Sequence, residues 1–500
     1  MDRKKKFIIN GATGVAKQVI TVLCGFVLPR YMLLYYGSPV NGLVSSITHF
    51  LSFISLLDMG VGAVVQANLY KPLANKDYDQ INRIIKSSER FFKRLGLIFV
   101  GYIIVLCLIY PTVINTDFDF VFSVTLIIII SVSMLAQYLY GMTYQLLLNA
   151  DQRAYIPQTI QIATIILNTV LAIILMQAGA SFHLVKIMSA TVFLLRPLLQ
   201  MIYVRNHYSI NRRIVLDGEP IKQKWNGFSQ HFASVVCMNI DVTVLTLFST
   251  LSNVSVYSVY YNISYGVAQI LMTAATGLES LFGNMISKNE NEKLQRTFDA
   301  IEWIVHFGIT LIFTITGITI IPFVSVYTKG ITDANYIAPI FGALLVTAYA
   351  SQCLRIPYFR IVKAAGHFKQ TQNGSYFSAI LNIIISIALV FKYGLIGTAI
   401  GTLVAMLYHT CYLVWYLRKA ILLRPISVFL KYFLSDITIA VISYIITKGL
   451  ILAVSSYTEW IILAIKVFLV TLFVASVINI LLFRKKIFDF SRLILKKHVE

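Results

Sequence analysis

Apolar runs of about 20 residues, the length a helix needs to cross a hydrocarbon core, recur from one end of this chain to the other. Fourteen are recognisable, at 7–33, 43–66, 95–113, 121–146, 157–177, 184–204, 227–250, 257–282, 299–322, 336–357, 373–391, 396–417, 431–449 and 460–483. No long soluble domain remains between them. Hydrophobic residues make up 58% of the chain and charged residues 13%, with a mean hydropathy of +0.76, which is the composition of a polytopic membrane protein. The runs lack the period-2 alternation of barrel strands, so the expected class is an all-α membrane protein of about fourteen transmembrane helices.

The net charge of +21 invites comparison with nucleic-acid binders, and the placement of the cations decides against it. Of 42 Lys and Arg, 34 fall in the termini and alternate loops or at the span ends beside them. The opposite loops hold Lys329, Lys392 and Lys448, and Lys17, Arg30, Lys186, Arg196 and Lys466 lie within spans. This is the positive-inside pattern, with both termini cytoplasmic and an even span count. Topology and anionic headgroups account for the basicity without a nucleic-acid partner. The start "MDRKKKFIIN" leads into a long run with no clean small-residue cleavage site, as in an uncleaved first helix. Cys24, Cys107, Cys237, Cys353 and Cys411 are scattered singly, with neither metal spacing nor a disulfide framework.

The chain also repeats itself. Asn10-Gly11 in "KKKFIINGATG" aligns with Asn226-Gly227 in "IKQKWNGFSQ" at an offset of 216, and Arg83 aligns with Arg296 at 213. Ile166-Leu167-Asn168 falls on Ile380-Leu381-Asn382 at 214, and Tyr203 and Arg205 fall on Tyr416 and Arg418 at 213. A nearly constant offset across six spans implies duplication. Six is even, so the copies share orientation about an axis along the membrane normal. The expected organisation is a six-helix lobe at 1–204, a cytoplasmic linker at 205–226, a parallel six-helix lobe at 227–417, two extra helices within 431–483 and a basic tail at 484–500. By analogy with other two-lobed membrane folds, it suggests a transporter with its site between the lobes, exposed to each side in turn.

Enzymatic chemistry is not indicated. The sequence has no Gly-rich Lys-Ser or Lys-Thr phosphate loop and no His-Glu-x-x-His helix, and its eight histidines are dispersed. The longest outer loops, near 114–120, 323–335 and 450–459, leave little room for chemistry on an extended sugar.

Charges inside spans are costly, which makes each one a candidate functional residue. Lys17 lies about 15 Å into the first span at 1.5 Å per residue; it either faces a polar cavity or snorkels to the cytoplasmic interface. Arg30, near the outer end, either anchors there or binds an anion. The two are thirteen residues apart, on different helix faces, and suit successive positions along a path rather than one phosphate. Asp58 in the second span needs a partner, for an ion pair or for transport. With no nucleotide site, Asp241 and Glu279 are candidate ligands for a coupling Na⁺ or H⁺, against burial by hydrogen bonding or a helix-end position. Asn382 and Thr402 would add neutral oxygens to an Asp241 site. Arg196 is expected to snorkel, Lys186 to lie near the outer end, and Lys466 and Asp436 to be interface residues. Tyr35-Tyr36, Tyr260-Tyr261, Trp415-Tyr416 and Trp460 fit interfacial belts.

The basic N-terminus with its early Asn-Gly, the stretch "PRYMLLYYGSPVNGLVSSITHFLSFISLLDMGVGAVV" and the basic "KDYDQINRIIKSSERFFKR" segment resemble bacterial polysaccharide flippases. These are the Wzx-type members of the multidrug/oligosaccharidyl-lipid/polysaccharide exporter superfamily. The resemblance covers nearly the whole chain. It implies a bacterial cytoplasmic-membrane transporter that flips undecaprenyl-pyrophosphate-linked oligosaccharide repeat units to the outer leaflet for cell-surface polysaccharide synthesis, driven by an ion gradient. Lys17, Arg30 and Asp58 would then belong to the substrate path, and spans thirteen and fourteen to a groove for the polyprenyl tail. Asp241, Glu279, Asn382 and Thr402 would belong to ion coupling. Polysaccharide polymerase and glycosyltransferases are the implied protein partners, and no cofactor is implied beyond the coupling ion. Spans seven and eight offer acids but no Arg or Lys, so the cationic cavity would be one-sided. Alternatives are a drug/cation antiporter, a flippase for the peptidoglycan lipid precursor, and a non-transporting scaffold for glycan synthesis.

Overall fold

The computed structural model describes residues 3–58, 61–114, 118–211, 228–450 and 454–496. These residues form α1 (Arg3–Ser52), α2 (Val61–Asn75), α3 (Tyr78–Val113), α4 (Phe120–Ala136), α5 (Met142–Ala150), α6 (Tyr155–Gln177), α7 (Phe182–His207), α8 (Phe228–Phe248), α9 (Leu251–Ala274) and α10 (Gly277–Ser287), then α11 (Asn291–Tyr327), α12 (Pro339–Leu354), α13 (Ile356–Ala364), α14 (Phe368–Tyr393), α15 (Leu395–Ala420), α16 (Ser427–Thr447) and α17 (Tyr457–Lys496). No strand occurs among them. Among the described residues, eleven stretches are long and apolar enough to cross a membrane. They reconcile with fourteen expected spans because the stretch Ile8–Leu56 holds parts of two, the apolar portion of α8 is short (Met238–Phe248), and α9, though 24 residues long, is rich in Tyr, Ser and Asn and falls short in hydropathy.

The expected connection at 34–42 shrinks to a single residue. Before Gly37, α1 runs beside α6 in the same direction. Lys6 reaches Asp151 and Asn10 reaches Tyr155, while the Tyr36 hydroxyl donates to the Ala180 carbonyl just past the end of α6. After Gly37 the partners run backwards. Asn41 meets Ser255, Ser46 meets Tyr110 and Thr246, His49 meets Asn239, and Phe50 meets Tyr102. Gly37 therefore turns a hairpin, at φ 82° and ψ 172°, a conformation that side chains resist. Five residues on, a Cβ at Gly42 would stand 1.8 Å from the Leu251 carbonyl oxygen, so only glycine permits that approach.

Contacts divide the chain into two units, Met1–Ser255 and Val256–Glu500. The first includes α8, which the sequence repeat assigns to the second lobe; the linker beyond residue 211 lies outside the described residues. Both units show the repeat in their irregularities. A 3-10 turn (Phe53–Asp58) precedes α2 at Val61, and the break after α9 precedes α10 at Gly277, 216 residues later. A π-turn (Gln137–Gly141) separates α4 from α5, and Arg355, 214 residues after Gly141, separates α12 from α13. The repeated tyrosine has the same task twice: Tyr203 takes a 3.3 Å bond from Arg153 before α6, and Tyr416 bonds His367 before α14 at 2.8 Å.

The outer surface is apolar, with Leu97, Ile104 and Leu108 exposed along α3, whereas Ser87, Ser88, Thr143, Thr164 and Asn168 are buried. Small polar residues between helices and aliphatic residues outside are the arrangement that lipid favours. Tyr260 departs from the belt expectation. It is fully buried in the second unit, donating to the Tyr336 carbonyl and accepting from the Ala338 amide, because the turn before α12 folds over it.

Candidate functional site

The start of α1 is pinned where the basic residues collect. Asn10 accepts a 2.8 Å bond from the Tyr155 amide, one of the unsatisfied N–H groups at the start of α6, and donates to the Gln152 carbonyl at 2.9 Å. The early Asn-Gly is thus a helix-pairing device. Asp151 ties the same end together, pairing with Lys6 at 3.5 Å and Arg153 at 2.8 Å and accepting the Tyr208 hydroxyl. Burial, then the Asp151 carboxylate beside it, push the Tyr208 phenol well above its ordinary value.

Lys17 lies eleven residues beyond Lys6, about 16 Å deeper along the helix. It is half-buried and makes no hydrogen bond or ion pair among the described residues. Arg30 is also half-buried on the same limb of α1. Asp58 closes the 3-10 turn, and its side chain lies outside the described residues.

Asp241 is buried on α8, which packs along the returning limb of α1. A polar seam joins the two helices: His49 Nδ1 with Asn239 Oδ1 at 2.9 Å, and Thr246 and Tyr110 hydroxyls both donating to Ser46 Oγ at 2.8 Å. Asn382 and Thr402 are buried in the second unit. Asn382 Oδ1 accepts from Ser386 Oγ at 3.0 Å on α14. Glu279, in the first turn of α10, pairs with Arg360 of α13 at 3.3 Å and is 40% exposed.

Three intramembrane charges sit otherwise than expected or in added detail. Arg196 turns to α6, its Nε donating to Thr164 at 2.8 Å. Lys186 turns to Met32 Sδ at 3.9 Å. Asp436 is paired, accepting from His306 Nδ1 at 2.6 Å within the second unit. Lys466 is exposed.

The His306–Asp436 pair opens onto a network that the sequence reading missed. His306 Nε2 lies 3.4 Å from the Tyr358 hydroxyl, which donates to Glu302; Arg424 donates to the same Glu302 oxygen and to Asp299 at 2.7 Å, and Lys486 stands 3.6 Å from Asp299. Glu302 and His306 are fully buried. The available signal was the spacing of Asp299, Glu302 and His306 in "DAIEWIVH", which puts all three on one helix face. The basic "KDYDQINRIIKSSERFFKR" segment is likewise helical, as the start of α3. Its Lys86, Arg90, Lys93 and Arg94 line a cavity of about 420 Å³ with Glu89 and Tyr144, a setting suited to anionic headgroups.

No protein-family model and no curated protein matches the sequence. Solved structures do match. A lipid II flippase MurJ in an inward closed conformation aligns with a TM-score of 0.69 at 15% identity, covering 96% of this chain and 100% of the other. A transporter of the MOP superfamily from Pyrococcus furiosus, described as having a binding pocket of reversed polarity, gives 0.60 at 13% identity over 85% and 98%. An inward-facing multidrug resistance MATE transporter gives 0.57 at 14% identity over 80% and 94%. The chain is a multi-pass membrane protein with the fold of the MOP-superfamily flippases and transporters.

Proposed function

We propose that this protein flips polyprenyl-pyrophosphate-linked oligosaccharide repeat units from the cytoplasmic to the outer leaflet by alternating access. The observation that carries the reading is Lys17, a half-buried cation deep on α1 with no partner among the described residues. An uncompensated cation inside a span is costly unless an anion visits it, and a lipid pyrophosphate is such an anion. Arg30 offers a second position on the same limb, and the basic groove of α3 offers a place for headgroups to gather. The likeness to a lipid flippase, which covers 96% of the chain, supports a lipid cargo. Asp241 of the first unit and, separately, Asn382 and Thr402 of the second are proposed Na⁺ or H⁺ coupling residues; Glu279, already paired with Arg360, is the weaker candidate. In this reading the protein sits in the bacterial cytoplasmic membrane with both termini inside, handing its cargo from glycosyltransferases to a polymerase.

The test is translocation of a labelled undecaprenyl-pyrophosphate oligosaccharide in proteoliposomes, comparing wild type with Lys17→Ala and Arg30→Ala under imposed Na⁺ and H⁺ gradients. Protein-dependent flipping that Lys17→Ala abolishes is the expected result. Flipping that is absent under every gradient, alongside efflux of a cationic dye, refutes the proposal in favour of drug antiport. A second reading, transport of lipid II, is favoured by the MurJ likeness. Lipid II loaded into the same vesicles separates the two cargoes.

A further inference from the structure

A second polar site lies inside the first unit. Where α4 gives way to α5, one π-turn brings Gln137 over Gly141, so closely that a Cβ there would stand 2.4 Å from the Gln137 amide oxygen. Such turns within α-helices are frequent at functional positions. Gln137 donates to Gln145 at 3.0 Å. These two, with Gln161 of α6 and Phe193, Arg196 and Gln200 of α7, line a cavity of about 370 Å³.

Two of the lining side chains are unsatisfied. Arg196 spends its Nε on Thr164 and stacks its guanidinium 4.3 Å from the Phe193 ring centre, while neither Nη bonds a described residue. Gln200, one turn further along α7, is fully buried, and neither its amide oxygen nor its amide nitrogen has a partner. A buried amide without partners and an intramembrane guanidinium without a carboxylate are both costly. Water would satisfy the amide but leave the charge uncompensated, and no Asp or Glu lines the cavity.

The repeat supplies an internal comparison. The position 213 residues after Arg196 is His409, which bonds Arg355 at 2.7 Å, and the position matching Gln200 is Leu413, buried in an apolar cluster. The second unit satisfies this place with its own side chains; the first leaves donors facing a cavity.

We propose that this cavity binds the phosphate ester of a membrane-lipid headgroup, with Arg196 taking the phosphate oxygens and Gln200, Gln161 and the Gln137–Gln145 pair taking the adjoining hydroxyls. At about 30 Å³ per water, the volume suits a phosphate with a glycerol- or sugar-sized group. Leu195, Leu198 and Leu199, on the same stretch of α7, are exposed, so the neighbourhood is lipid-facing and the bilayer supplies the ligand.

The experiment counts lipids retained by the full-length protein in native mass spectrometry, titrating phosphatidylglycerol, undecaprenyl phosphate, phosphatidylcholine and inorganic phosphate in turn. Wild type is compared with Arg196→Gln, with Gln200→Leu, which removes only an unpartnered amide, and with the exposed-charge control Lys466→Gln. The expected result is one tightly held anionic lipid that binds at least tenfold more weakly to both cavity variants and normally to Lys466→Gln. Preference for undecaprenyl phosphate over phosphatidylglycerol identifies the cargo carrier as the source, and the reverse identifies a bulk lipid. Inorganic phosphate retained as tightly as either lipid, phosphatidylcholine retained as tightly as phosphatidylglycerol, or retention unchanged in Gln200→Leu overturns the proposal.

Discussion

Arg424 is the counter-charge on which the buried network of the second unit depends, and replacing it with Met tests that dependence. Its guanidinium is 18% exposed and pairs with Glu302, which is 0% exposed, and with Asp299, which is 46% exposed. Losing the half-exposed Asp299 contact is worth about 0–1 kcal/mol. Leaving Glu302 ionised and unpaired in the interior is worth about 3–5 kcal/mol, so the Glu302 contact dominates. At about 2–4 °C per kcal/mol for a unit of this size, Arg424→Met should lower the melting temperature by about 10 °C. The assay is a fluorescence-detected size-exclusion melt in one detergent. Adding Glu302→Gln removes the stranded charge while keeping an acceptor for the Tyr358 hydroxyl, so the double variant should regain at least half of the loss. A melting temperature within about 2 °C of wild type for Arg424→Met, or a double variant no better than the single one, would show that the network is not held by this pair.

Other substitutions follow from close contacts and caps. Asn10→Leu removes both the acceptor for the Tyr155 amide and the donor to the Gln152 carbonyl and should cost about 1 kcal/mol in the same melt, whereas Asn10→Asp, which keeps the acceptor and loses only the donor, should cost less. Gly42→Ala drives a Cβ into the Leu251 carbonyl and should cost about 1–3 kcal/mol, while Gly11→Ala, with open space around it, should be neutral or stabilising; equal effects at both positions would refute the close approach. Glu279→Gln breaks a 40%-exposed pair and should change stability by no more than about 1 kcal/mol, so any large loss of transport in that variant would reflect ion coupling rather than folding.

Some of the site was legible in the sequence because it concerns single residues. Lys17, Arg30 and Asp241 stand out as charges in apolar runs, and their half-buried or buried positions follow from the spans that carry them. Cooperative features were not legible. Asp299, Glu302 and His306 lie close in sequence, but their partners Tyr358, Arg424, Asp436 and Lys486 come from distant segments, so only folding shows that the acids are compensated. Arg196 read as a snorkelling residue for the same reason: Thr164, which draws it inward, is on another helix.

The sequence by itself determined the class of the protein, because runs of apolar residues in lipid must satisfy their backbone internally and therefore become helices. It also determined the repeat, since an offset near 214 is preserved in the helix breaks of both units. Tertiary structure alone decided where helices turn and which polar groups meet. The reversal at Gly37 depends on one backbone conformation and on two different sets of partners before and after it. Whether a half-buried cation such as Arg196 is paired, or left facing a cavity, depends on the neighbours that packing places around it, and no property of the residue itself records that choice.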